Sequence, residues 1–240
     1  MALCKEKVRA VIFDYGSTLI EFGAPQIRIC DTALAETLER LFGSVDYDAL
    51  QRIRNADRVA PYLNGYYEND MEEISRNLVR GIYGRDPSDE ELNEILEVRY
   101  AAFVKAVEAP DYLEELLAEL GKAYKLGLLS NYPDARALRA SLDKIGLTGY
   151  FDAVVVSGDF GRVKPHELPF TQVLEGLDVR PHEAVYVGDN WLGDIQGAKK
   201  MGLLAVWTQQ FDSPEVFERD PGDVDPDVTI QHITELREHL

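Results

Sequence analysis

The chain has 240 residues, 45% of them hydrophobic, and a formal net charge of -18. That length buries a substantial core, as one large domain or as a core with an insertion, while the negative surface repels phosphate backbones and anionic lipid and argues against nucleic-acid or membrane binding driven by counterion release. No apolar run approaches the ~20 residues that cross a bilayer. Cys4 and Cys30 lack metal-ligand spacing, and Met1 to Lys7 is short and carries two lysines and a glutamate, unlike a signal peptide, so a soluble protein of a reducing cytoplasm is expected. Repeats and low-complexity tracts are absent from the sequence.

In chain order, Val8 to Phe13 reads as a buried strand that ends in Asp14 and runs at once into Tyr15-Gly16-Ser17-Thr18-Leu19, too small and polar to continue it. Residues 22–107 read as helical. Leu34, Leu38 and Leu41 recur at helical spacing, and Ser88-Asp89-Glu90-Glu91 ahead of Leu92, Ile95 and Leu96 is a capping-box start. From about residue 108 apolar runs alternate with helical patterns. Strands are expected at Tyr124 to Leu129, Ala153 to Val156, Val185 to Val187, Leu203 to Trp207 and Val228 to Ile230. Helices are expected over Pro133 to Ile145, Pro169 to Leu177 and Asp194 to Met201. This alternation predicts an α/β fold, a parallel sheet with helices on both faces. Residues 1–21 and 108–240 form its core, and 22–107 an inserted helical cap. Two chain crossings, near residues 20 and 108, allow a hinge and a mobile lid, or a helical subdomain fixed in place. Phe211 to Asp227, rich in Asp and Pro, reads as a surface loop before the last strand and helix.

In an open parallel sheet, ligands collect beyond the carboxyl ends of the strands. Four expected strand ends carry chemistry: Asp14, Ser130-Asn131, Lys164-Pro165, and Asp189 with Asp194. Three carboxylates together repel one another unless a cation joins them, and oxygen-only donors favour magnesium. A carboxylate beside magnesium and facing a phosphoryl group can act as a nucleophile. Lys164 would neutralise phosphoryl oxygens, Ser130 would donate a hydroxyl, and amides of the Tyr15 to Thr18 turn would add donors.

The segments VIFDYGSTLI, LGLLSN, GRVKP and VYVGDNWLGD resemble the four motifs of the haloacid dehalogenase superfamily, in order and across the whole core. The resemblance implies a Rossmann-like core with a helical cap inserted after the first motif. It also implies magnesium dependence and a small phosphorylated metabolite as substrate. By position, Asp14 is the phosphorylated nucleophile. Ser130 binds the phosphoryl group, with Ser17, Thr18 and Asn131 beside it, and Lys164 stabilises nucleophile and phosphate. Asp189 and Asp194 hold the metal with Asp14 and the backbone carbonyl of Gly16. Phosphatases of this superfamily usually carry a second Asp two residues after the nucleophile as acid and base, and here that position is Gly16. Three consequences stand open: a preference for good leaving groups such as acyl or anomeric phosphates, a substitute proton donor among Glu21, Tyr15 and a cap tyrosine, or a weakened relative that binds a phosphometabolite or a protein partner. A metal-independent 2-haloacid dehalogenase is the remaining alternative. It resembles the chain less, because that motif reads Asp-x-Tyr and this chain has Asp-Tyr-Gly.

The four histidines follow no ligand spacing and are expected at surfaces or helix ends. Trp191 is expected to pack under its loop or to line the site mouth. Tyr62, Tyr66 and Tyr67 are expected at a helix contact or a substrate face, and Arg28, Arg54 and Arg58 are solvated charges or partners for a substrate anion.

Overall fold

The computed structural model describes residues 8–211 and 217–240. Cys4 and residues 212–216 of the expected tail loop lie outside them. Among the described residues, six strands form one parallel sheet in the order β3-β2-β1-β4-β5-β6. The strands are β1 Ala10–Phe13, β2 Lys125–Ser130, β3 Ala153–Val156, β4 Ala184–Gly188, β5 Leu204–Thr208 and β6 Val228–Ile230.

Apolar residues sit on both faces of each central strand, so the sheet is buried on both sides. Val11 and Phe13 of β1, with Val185 and Val187 of β4, face one core. There they meet α5 (Leu113–Leu120) and α6 (Ala135–Lys144), which contribute Leu116, Leu117, Ala137 and Leu138. Ala10, Ile12, Ala184 and Tyr186 face the other, against α7 (Glu167–Leu177) and α8 (Gly197–Met201). Helix α5 was not among the expected elements, although Leu113, Leu116, Leu117 and Leu120 all lie on its buried side.

The sheet also explains where a site must lie. The chain moves outward from β1 to β2 and β3, then crosses back to β4 and continues the other way. Phe13 is in register with both Leu128 of β2 and Val187 of β4. The switch point therefore brings Asp14, Ser130 and Asp189 to one edge, where neighbouring strands feed connections to opposite faces.

Between β1 and α5 run four helices, α1 Ala24–Phe42, α2 Tyr47–Leu63, α3 Met71–Tyr83 and α4 Asp89–Ala106. Leu34, Leu38, Leu50, Leu78, Val79 and Ile95 give them an apolar cluster of their own, with Leu41 half-buried against it. The expected capping box is present on α4: Ser88 accepts from Glu91 N at 3.2 Å and Glu91 returns to Ser88 N at 2.7 Å. Besides the two chain crossings there is a non-covalent tie. Tyr67 pairs with Arg162 in an isolated antiparallel bridge. Val163 N donates to Tyr66 O at 3.0 Å, Glu68 N donates to Gly161 O at 3.1 Å, and the Ser157 hydroxyl meets the Glu68 carboxylate. A hinge motion of these helices has to break this tie.

All three expected helices start elsewhere. Helix α6 begins at Ala135, capped by Asp134, whose Oδ1 accepts from Ala137 N at 3.0 Å. Helix α7 begins at Glu167, because His166 Nδ1 accepts from Leu168 N at 3.1 Å and caps it. The segment expected to begin at Asp194 begins at Trp191 as a π-helical turn, Trp191–Gln196, in which Asp194 N and Ile195 N both reach Asn190 O, at 2.9 and 3.2 Å. Wide turns of this kind cluster at functional sites. Among the described residues, no helix is long and apolar enough to cross a membrane. Replacing Ser88 by Ala should cost about 1 kcal/mol, the worth of an N-cap. Denaturant titration should show that loss with turnover unchanged, and an unchanged midpoint would mean that the box does not hold α4.

Candidate active site

Lys164 is the centre of the strand-edge cluster. Its ammonium is buried and donates to Asp14 Oδ1 at 2.6 Å, Asp194 Oδ1 at 2.7 Å, the Tyr186 hydroxyl at 2.8 Å and Leu129 O at 3.0 Å. The Tyr186 hydroxyl also reaches Asp194 Oδ1 at 3.0 Å, and Asp194 Oδ2 accepts from Asn190 N at 2.9 Å. Asp14, Asp189 and Asp194 each offer a carboxylate oxygen, all within 4.8 Å of one another. Gly188 makes this approach feasible, since a Cβ there would lie 2.4 Å from the Asp194 carboxylate.

Burial raises the Asp14 carboxyl, Lys164 pulls it down, and Asp194 and Asp189 push it up again, leaving it at about 8. For Lys164 burial acts downward, but Asp14 and Asp194 more than offset it and hold the ammonium above its ordinary value. The three carboxylates carry three negative charges against one ammonium, so a divalent cation would bring the cluster to neutrality. The donors are hard oxygens, and Asp14 is too crowded to ionise easily without such a cation. The residues present therefore fit magnesium.

The cluster opens into a cleft of about 220 Å³, lined also by Gly16, Ser17, Ser130, Asn131, Tyr62, Phe103 and Tyr132. The Ser130 hydroxyl has no hydrogen-bond partner among the described residues and stays available to a ligand. Asn131 lines the cleft and its amide also clamps the lysine backbone, its Oδ1 accepting from Lys164 N at 2.8 Å and its Nδ2 donating to Lys164 O at 3.1 Å. Thr18 departs from expectation. It is buried, does not line the cleft, and donates its hydroxyl to Asp189 Oδ1 at 3.1 Å. Its hydroxyl orients a carboxylate. Ser17 lines the cleft in a left-handed conformation, φ 60°, but its N–H is committed to Ile20 O at 2.7 Å.

Of the expected substitute proton donors, Tyr15 turns its hydroxyl to Ser141 at 2.8 Å and Glu21 is exposed outside the cleft. Tyr15 and Tyr62 both line it, and burial pushes the Tyr62 phenol up to about 12. Gly16 has an ordinary φ, and a Cβ there would stand 3.4 Å from Phe22 Cβ, so the position tolerates a side chain. Trp191 packs: its Nε1 donates to Asp223 Oδ2 at 2.7 Å, and its ring meets Trp207 edge-on at 5.3 Å. Arg28 and Arg58 are exposed, and Tyr67 carries the Arg162 guanidinium 3.3 Å from its ring centroid.

Tyr186 escaped the sequence reading, although a hydroxyl inside the run Ala-Val-Tyr-Val-Gly, buried on both faces, is a signal in itself. A buried phenol requires a polar partner. Here that partner is Lys164 with Asp194.

A family model described as haloacid dehalogenase-like hydrolase matches residues 11–208. The phosphoglycolate phosphatase of Aquifex aeolicus (strain VF5) is 30% identical over 205 residues, covering 83% of this chain and 85% of that protein. The ribulose-1,5-bisphosphate 5-phosphatase of Halopiger xanaduensis (strain DSM 18323 / JCM 14033 / SH-6) is 26% identical over 233 residues, 95% of this chain and 97% of its own. The fold is shared with the 2-haloacid dehalogenase of Pseudomonas syringae pv. Tomato DC3000, at a TM-score of 0.73 and 23% identity over 96% of this chain and 97% of that one.

Tyr186→Phe removes the hydroxyl between Lys164 and Asp194. It should destabilise the fold by about 1–3 kcal/mol through the unmet polar groups left behind, measured by denaturant titration. A neutral result would show that the phenol is incidental to the cluster.

Proposed function

The chain belongs to the haloacid dehalogenase-like hydrolase family, and from that premise we propose that it is a magnesium-dependent phosphohydrolase of small phosphorylated metabolites, with Asp14 as the nucleophile. The observation that carries this reading is the Asp14 carboxylate, held at 2.6 Å by a buried ammonium and within 4.8 Å of Asp189 and Asp194 at the floor of a small cleft. The phosphatase names of the relatives support a phosphate ester as the bond attacked. Residues 1–21 and 108–240 are the catalytic core in this reading, and 22–107 the cap whose Tyr62 and Phe103 close the cleft from above.

Asp14, Asp189, Asp194 and the Gly16 carbonyl would hold the cation. Bound there, it supplies positive charge to the phosphoryl oxygens and favours the ionised form of Asp14. Lys164 holds one oxygen of Asp14, and attack on phosphorus falls to the other. As the new O–P bond forms, the ester P–O bond breaks and its electron pair leaves with the departing oxygen. Ser130 donates to a phosphoryl oxygen, and Lys164 balances the charge that builds on them. Water then attacks the phosphorus of the aspartyl phosphate, returning Asp14 and releasing inorganic phosphate.

Gly16 carries no group to protonate the departing oxygen, and the Tyr62 phenol, at about 12, is a weak acid for that task. The departing group must carry its own negative charge, so acyl, anomeric and other good leaving groups are favoured. General acid catalysis is worth ~10²- to 10⁴-fold where the leaving group is poor. The carboxylate cluster favours this reading over the dehalogenase alternative, whose attack on carbon needs no cation.

Gly16→Asp should raise turnover of alkyl phosphates by about 10²-fold and barely change that of acyl phosphates, compared in steady-state assays. Equal gains on both classes, or none, would mean that the missing acid is not what limits the enzyme. Asp14→Asn should leave under about a hundredth of the parent activity toward an aryl phosphate, and EDTA should silence the parent. Release of halide from a 2-haloacid despite the chelator would replace the phosphatase reading.

A further inference from the structure

The cleft over Asp14 has two unlike sides. The charged cluster forms its floor, and Ile20, Phe22, Tyr62, Phe103, Tyr132 and Leu138 form an apolar and aromatic wall. Ile20 and Phe22 come from the loop after β1, Tyr132 from the loop after β2, and Leu138 from α6, while Tyr62 and Phe103 come from the inserted helices α2 and α4. Three of the rings touch in series. Phe22 meets Phe103 with centroids 5.1 Å apart and planes tilted by 46°, and Phe103 stacks on Tyr132 at 4.1 Å and 24°. The series begins on the leaving-group side: a Cβ on Gly16, the position at which an acid would meet the departing oxygen, would stand 3.4 Å from Phe22 Cβ.

Nothing in that wall carries a charge. Among the described residues, Lys164 is the one cation that lines the cleft. Its three N–H groups already face four acceptors at 2.6 to 3.0 Å, which leaves none for a second anion on the substrate. Arg54 and Arg99 do not line the cleft, and Arg99 Nε and Nη2 are sealed from solvent. The Tyr62 and Tyr132 phenols are both pushed up by burial and stay neutral near pH 7. A fixed anion placed against this wall would lose its water and gain no countercharge, which is costly. An aromatic group gains instead, through apolar burial and ring contacts. Size sets the other limit. At about 220 Å³ the cleft is smaller than the roughly 300 Å³ at which ordinary ligand sites begin, so a phosphoryl group and one ring-sized group occupy it.

We propose that the substrate is a monophosphate whose departing group is small, flat and apolar and carries no second charge: an aryl or aromatic acyl phosphate, its ring against Phe22, Phe103 and Tyr132. This deepens the phosphohydrolase reading and rests on it for the phosphoryl end. The wall and the missing acid meet at the departing oxygen. As Asp14 bonds to phosphorus the ester P–O bond breaks, and its electron pair leaves on a phenolate or a carboxylate. Such a group spreads the charge over its ring or its second oxygen, so no proton is needed at departure.

Phenyl phosphate and 3-carboxyphenyl phosphate have leaving groups of similar acidity and differ in the second charge, and acetyl phosphate has a good leaving group without a ring. With magnesium present, the parent should show a kcat/KM on phenyl phosphate at least ~10-fold above that on 3-carboxyphenyl phosphate. Phe22→Leu, which keeps apolar bulk and removes a ring, should raise KM for phenyl phosphate by about 3- to 10-fold and KM for acetyl phosphate by less. Phe22→Arg supplies the countercharge and should reverse the preference in favour of 3-carboxyphenyl phosphate. The parent comparison decides even where a variant fails to fold. A parent that takes both aryl phosphates equally or prefers the carboxylated one, equal losses of Phe22→Leu on phenyl and acetyl phosphate, or a Phe22→Arg protein of parental melting temperature that keeps the parental preference would overturn the proposal. Calorimetric binding of phenylphosphonate, 3-carboxyphenylphosphonate and methylphosphonate, again with magnesium, separates this claim from the chemistry. Tightest binding of phenylphosphonate supports the aromatic wall even if no ester is hydrolysed, and absent hydrolysis then counts against the phosphohydrolase reading alone. Equal binding of the three contradicts the wall whatever is hydrolysed.

Discussion

One ammonium group holds the site together. Lys164 is buried where desolvation works against its charge, yet two carboxylates on separate strand ends, Asp14 and Asp194, more than offset it. The same contact keeps those carboxylates from driving each other apart. Neither partner is stable there alone, because a buried charge left unpaired costs several kcal/mol. The backbone that carries the lysine is fixed in turn by the Asn131 amide at 2.8 and 3.1 Å. Motifs 150 residues apart are thereby locked into one charge arrangement.

That arrangement is incomplete by design of its charges. Three carboxylates outweigh one ammonium, and Asp14 is the group that bears the excess, its carboxyl held at about 8. A dication would resolve the imbalance and favour the ionised form of Asp14. The parallel sheet makes this economical in sequence, because β1, β2 and β4 end at one level and each needs only a residue or two beyond its last hydrogen bond. The π-helical turn after Asn190 supplies the last adjustment, returning Asp194 beneath Asp189 within four residues of the loop amide that it accepts.

Much of this was legible in the chain. An acid at the end of an apolar run, as at Asp14 and Asp189, marks a strand delivering a charge, and five later strands lie within two residues of their expected ends. Side-chain direction was not legible. Thr18 sits beside Asp14 in the same turn yet holds the Asp189 carboxylate from outside the cleft, because whether a turn residue faces a ligand or a neighbour depends on backbone angles that composition does not encode. Tyr186 was hidden by its apolar neighbours, and α5 by its closeness to the expected cap boundary. Arg99 was readable in principle, at helical spacing from Leu92, Ile95 and Phe103. The sequence shows that an arginine interrupts the stripe, but only packing reveals which of its nitrogens are sealed from solvent.

The central claim is covalent: Asp14 carries the phosphoryl group between two half-reactions. The most direct measurement is to quench the protein in acid during turnover of a phosphate ester with magnesium present, reduce it with borohydride, and read the peptide around Asp14 by mass spectrometry. An acyl phosphate at that position is reduced to homoserine, and the account predicts homoserine at position 14 and at no other acid. An unmodified Asp14 with phosphate still released, or the reduced residue elsewhere, would contradict it.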